Sequence, residues 1–96
     1  MNNALEHLNP EPIWKFFGEI LQIPRPSKKE EKIVEYLINF GKSRGLETLS
    51  DEIGNVLIRK PATEGREKSP SICLQSHSDM VCEKNSSKIF DFEKDA

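Results

Sequence analysis

The stretch IVEYLINFGKSRGLETLSDEIGNVLIR, residues 33–59, decides how this chain is read. Its first half repeats apolar residues at helical spacing: Ile33, Tyr36, Leu37 and Phe40 form one stripe. Gly45 then supplies a helix stop, because glycine tolerates the left-handed conformation that ends many helices. Beyond it the texture changes. Residues 46–49 are short and apolar enough for a strand, and residues 51–55, with Gly54 among them, predict a turn. Val56-Leu57-Ile58, rich in β-branched side chains, predicts a second strand. A helix that hands over directly to strands points to an α/β arrangement.

Upstream, Ser27-Lys28-Lys29-Glu30 has the form of a capping box for that helix, with Glu30 reaching back to the serine. Before it, Ile13, Phe16, Phe17, Ile20 and Leu21 recur at helical spacing and predict an earlier helix. Asn9 is placed to cap it, with Pro10 in its first turn, and Pro24 and Pro26 close it. Trp14 is expected to pack on a neighbour.

Downstream, residues 60–70 are polar, contain Pro61, Gly65 and Pro70, and predict an exposed loop. Residues 71–75 form a continuous apolar run, as in a strand covered on both faces. The expected order is helix, helix, strand, strand, strand, followed by a polar tail. In that tail Phe90 and Phe92 alternate with charges as on a half-buried extended segment.

Composition narrows the function classes. The chain has 96 residues, 31% of them charged, and a net charge of −2. One domain at most fits that length, and a chain so short buries a marginal core. The mean hydropathy of −0.61 is polar for that size and suggests a piece of something larger. Both signs of charge are interleaved, with no basic stripe to follow a phosphate backbone, which argues against nucleic acid as a partner. No apolar run approaches membrane-spanning length, and the first residues, MNNALEHLNPEP, lack the order of a signal peptide; the expected location is cytoplasmic. Cys73 and Cys82 fit neither a zinc ribbon nor a redox pair and read as free thiols, Cys73 buried in the third strand.

The chemistry concentrates in LQSHSDMVCEKN, residues 74–85. His77 and Asp79 stand two apart, just past the end of a predicted buried strand, where α/β sheets commonly build sites. In an extended segment such residues point to the same side. An imidazole and a carboxylate so placed suit half a metal site: the histidine on the metal, the carboxylate steering its ring. The same residues also suit a strand-ending loop in which Asp79 binds nearby backbone N–H groups. The glycines are scattered, so there is no phosphate loop, and Cys82 with His77 lacks an orienting third group.

Several blocks, in order, carry a further signal: IPRPSKKEEKIVEYLINFGKSRGLE (23–47), DEIGNVLIRKPAT (51–63), LQSHSDMVCEKN (74–85) and FDFEKD (90–95). Across residues 8–95 the chain resembles the N-terminal part of aminoacyl-histidine dipeptidases, also called Xaa-His or cytosol non-specific dipeptidases, among the co-catalytic zinc peptidases. The resemblance implies that residues 1–96 are an N-terminal segment of an α/β catalytic peptidase domain. They would hold two helices and about three strands of a larger mixed sheet, with the rest of that domain and a smaller lid or dimerisation domain absent. It implies hydrolysis of dipeptides, including Xaa-His dipeptides, by a metal-activated water. It implies zinc, two ions per full-length site with other divalent metals open, a dipeptide substrate, and a homodimer when full length. In the family's His-x-Asp motif the histidine binds metal and the aspartate positions it; those roles fall on His77 and Asp79.

The sequence departs from the family pattern in two ways. Ser76 stands where the motif typically has glycine or alanine, and no downstream motif that carries the remaining ligands is present. Neither Glu83 nor Asp91 matches those motifs. With one matched ligand, the 96-residue chain alone is expected to bind zinc poorly, hydrolyse nothing and fold marginally or associate. The alternative is a truncated, non-catalytic remnant or a small interaction module.

Overall fold

A computed structural model describes residues 5–81. The elements run α1 (Glu11–Leu21), α2 (Glu31–Ser43), β1 (Glu47–Ser50) and β2 (Val56–Arg59). The chain divides into two compact units, Met1–Ile33 with Asp79–Ala96, and Val34–Ser78. Cys82, Glu83 and the tail phenylalanines Phe90 and Phe92 lie outside the described residues.

In the first unit, α1 presents the predicted apolar face, though Ile13 and Phe17 stay substantially exposed. Trp14 packs edge-on against Phe17, with ring centroids 5.9 Å apart, and its indole N–H donates to the Asn9 carbonyl at 3.1 Å. Asn9 is not the cap. Pro10, in extended conformation, holds the N-cap position without a side-chain bond, so the helix starts one residue later than expected. At the other end Arg25 folds back, and its guanidinium donates to the carbonyls of Ile20 and Ile23 at 3.1 and 3.2 Å. Ile20 lies in the last turn of α1 and Ile23 just past the C-cap Gln22, so the guanidinium closes over the end of the helix, where a cation also suits the helix dipole. Ile33, the last residue of this unit's first segment, is the one fully buried large side chain among the described residues.

In the second unit, the end of α2 follows from Gly45. It sits at φ 68; its N–H donates to Lys42 O at 3.0 Å, and Leu46 N–H donates to Gly41 O at 3.0 Å. That pair of bonds is a Schellman motif, and the left-handed residue it needs is the glycine. Arg44 stacks over the Phe40 ring 3.6 Å from its centroid. β1 and β2 then pair antiparallel, Thr48 opposite Ile58 and Leu49 opposite Leu57. Thr48 and Ile58 are half-buried, while Leu49 and Leu57 are exposed, so one face of the hairpin packs and the other does not. Asp51 organises the turn. Its carboxylate accepts from the N–H groups of Ile53 and Asn55 at 3.1 and 2.9 Å and from the Asn55 amide at 2.7 Å. The Asn55 side chain, then its backbone N–H, holds the Asp51 carboxyl below its ordinary range. The Glu47–Arg59 pair across the strands, at 3.5 Å, is exposed and contributes little.

Gly41 shows why α2 and the hairpin fit. A Cβ there would overlap Thr48 Oγ1 and lie 3.2 Å from Ile58 Cγ1. Thr48 cannot turn away freely, since its hydroxyl donates to Leu46 O at 3.0 Å. Gly41→Ala should gain about 1 kcal/mol of helix propensity. It should lose about 1–3 kcal/mol to overpacking and about 1 kcal/mol from the displaced hydrogen bond. The expected net is a loss of about 1–3 kcal/mol, read as amide exchange roughly 5–150-fold faster at residues 47–50 and 56–59. Unchanged or slower exchange there would refute this packing account.

The expected third strand is absent from the described residues. Residues 71–75 carry no strand pairing; Ile72 is 86% and Leu74 93% exposed, and Cys73, expected to be buried, is an exposed free thiol. A strand covered on both faces needs neighbouring strands and covering elements. The described residues place only β1 and β2 in a sheet, and these pair with each other.

Candidate functional site

Asp79 belongs to the first unit, and its surroundings there are specific. Residues 25–27 and 79–81 run side by side as a short parallel bridge centred on Pro26 and Met80. Met80 N–H donates to Arg25 O at 2.9 Å, and Ser27 N–H donates to Met80 O at 3.2 Å. These bonds use the residues flanking Pro26, so its missing N–H costs nothing here. The Ser27 hydroxyl then donates to Asp79 Oδ2 at 2.5 Å, the short range expected for a hydroxyl on an ionised carboxylate.

Ser27 is therefore not the helix cap its sequence context suggested. α2 starts at Glu31, four residues on, and Glu30 accepts from Lys28 N–H at 2.8 Å rather than from the serine. A tight turn separates the two: Lys29 N–H donates to Pro26 O at 2.9 Å, and Lys28 holds φ 70. A lysine in that left-handed conformation costs about 1–2 kcal/mol, so the bonds on both sides of it must hold the turn in place. The sequence signal available for Ser27 was its position after Pro24-Arg25-Pro26, which favours an extended segment able to pair.

His77 belongs to the second unit, in the irregular stretch after residue 75, and is exposed. Ser76, the departure from the family motif, directs its hydroxyl to the His77 carbonyl at 3.3 Å, which gives the extra hydroxyl a local acceptor. The donor types fit one arm of a zinc site, an imidazole with a carboxylate to orient it. They do not fit a whole one. Among the described residues no group of three or more His, Cys, Asp or Glu side chains is gathered to hold a metal. No helix among them is long and apolar enough to cross a membrane.

Comparison with known proteins places these features. The chain is 45% identical over 93 residues to the cytosol non-specific dipeptidase of Escherichia coli strain K12, an alignment covering 97% of this chain and 19% of that protein. The crystal structure of aminoacylhistidine dipeptidase from Vibrio alginolyticus superposes with a TM-score of 0.90 at 42% identity, over 95% of this chain and 19% of that one. No family model matches. The chain thus spans about a fifth of the length of the relatives it matches. At this identity the likeness is one of sequence as well as fold: two helices and an antiparallel strand pair form an α/β segment shared with dipeptidases.

Proposed function

We propose that this chain is the N-terminal segment of the catalytic domain of a cytoplasmic zinc dipeptidase. In the complete polypeptide it would act in hydrolysing dipeptides, including those ending in histidine. The observation that carries this reading is 45% identity sustained over 93 residues, nearly the whole chain, to a cytosol dipeptidase. The similarly close structural likeness to an aminoacylhistidine dipeptidase supports it.

In this reading His77 would be one of the residues that hold a metal ion, and Asp79 would be the carboxylate that orients the histidine. Zinc, when bound, supplies an activated water and polarises the scissile carbonyl. A catalytic zinc takes three protein ligands, so the reading requires further ligands from outside the described residues. Homodimerisation of the complete polypeptide belongs to the same proposal.

The test is to purify the complete polypeptide that carries this sequence, load it with zinc and assay dipeptides against tripeptides. Hydrolysis of dipeptides, Xaa-His among them, that a chelator abolishes and zinc restores is expected. A folded, zinc-loaded polypeptide that leaves dipeptides intact would instead support the non-catalytic remnant or interaction module.

A further inference from the structure

We infer that residues 25–29 and 79–81 form a spring-loaded latch within the first unit, which holds the chain where it returns to that unit and can release it locally. The holding side is a clasp of three bonds. Met80 N–H donates to Arg25 O at 2.9 Å, Ser27 N–H donates to Met80 O at 3.2 Å, and the Ser27 hydroxyl donates to Asp79 Oδ2. Arg25 is tied in turn to the carbonyls of Ile20 and Ile23, so the clasp is built on the end of α1. The opposing side is the next residue along. Lys28 is held at φ 70, the one residue other than glycine with a positive φ among the described residues. That conformation crowds Cβ against the following carbonyl oxygen, and a lysine lacks the short polar side chain by which asparagine or aspartate offsets the cost.

The two sides share one stretch of backbone. Lys28 N–H donates to Glu30 Oε1 at 2.8 Å and Lys29 N–H donates to Pro26 O at 2.9 Å, which closes a tight turn directly after Ser27. While Ser27 is bonded to residues 79 and 80, this turn is fixed at both ends and Lys28 stays strained. Once the clasp opens, Ser27 rotates, Lys28 returns to ordinary backbone geometry and the strain is discharged. The strain therefore favours opening, and the clasp opposes it. What opening releases is Met80 and Val81, both exposed, and with them the far end of residues 60–78. That stretch includes no helix or strand, and its described backbone bonds are those of two tight turns, Arg66 N–H to Thr63 O and Ser69 N–H to Arg66 O. After β2, the clasp is thus the first long-range backbone pairing among the described residues. Segments that move while the rest of a fold stays formed are drawn from such weakly held places.

The experiment is hydrogen exchange resolved to single amides in the complete polypeptide, under conditions where exchange reports the opening equilibrium. Ser27→Ala removes the bond from the hydroxyl to the carboxylate. It should speed exchange at the Met80 amide about 5–30-fold, while the amides of residues 47–50 and 56–59 keep their rates. Lys28→Gly removes the strain and leaves every bond of the clasp in place. Glycine reaches this conformation without a clash but loses more backbone freedom when held, so exchange at Met80 should slow by about 2–5-fold. Lys28→Ala removes the rest of the lysine but keeps Cβ and the strain, so Met80 should exchange as in the wild type. Met80 is far from Lys28 in sequence, and a passive turn would leave its amide indifferent to both changes. The latch is overturned if Ser27→Ala leaves exchange at Met80 unchanged, if Lys28→Gly fails to slow it, or if alanine at 28 slows it as much as glycine. It is overturned too if the amides of residues 47–50 and 56–59 quicken together with Met80, since the opening would then be global. Should Ser27→Ala fold too poorly to be read, the two Lys28 variants decide alone, because both keep the clasp.

Discussion

Replacing His77 by alanine in the complete polypeptide is expected to remove one metal ion and nearly all dipeptide hydrolysis. A Lewis-acid metal contributes several kcal/mol of transition-state stabilisation. At 1.36 kcal/mol per tenfold, that corresponds to a drop of about a thousandfold or more in kcat/KM. Global unfolding is a poor competing explanation. His77 is exposed in an irregular stretch, where side-chain substitutions usually change stability by no more than about 0.5 kcal/mol. The decisive measurement is zinc per polypeptide by elemental analysis alongside kcat/KM, with a thermal melt as control. A variant with wild-type activity and full zinc would refute the assignment of His77 as a ligand.

The contrast between His77 and its neighbours shows which information a sequence carries locally. The end of α2 was legible because Gly45 answers a local demand for a left-handed residue, and the structure uses it so. β1 and β2 were legible because the turn between them, pinned by Asp51 and with Gly54 at φ 92, is also local. Residues 71–75 were misread for the opposite reason. Their apolar run says that the segment favours burial, but not which elements cover it, and no described strand pairs with Ile72 or Leu74. Ser27 shows the same limit at the level of one side chain. A serine three residues before a glutamate satisfies the capping pattern, yet its hydroxyl goes to a carboxylate 52 residues away. Spacing did mark Asp79 as a residue to examine, but could not show the clasp that holds it.

Asp79→Asn tests whether that clasp serves chemistry or only the fold. Asparagine preserves shape and one acceptor oxygen, but removes the charge and replaces the second oxygen with a donor. The remaining carbonyl oxygen is an uncharged, weaker acceptor, and the amide presents a donor where the second carboxylate oxygen stood. The variant should therefore keep more zinc than His77→Ala, since the ligand itself is intact, while kcat falls about 10–100-fold from disturbed ring orientation. Loss of the charge-assisted bond from Ser27 should also cost about 1–2 kcal/mol of local stability, read as faster amide exchange at Ser27 and Met80. The two readouts separate the alternatives. If Asp79 only pins residues 79–81 beside residues 25–27, exchange quickens and kcat stays at wild type. If it positions His77, kcat falls even when temperature or added zinc restores full folding and loading, because orientation is not recovered by mass action.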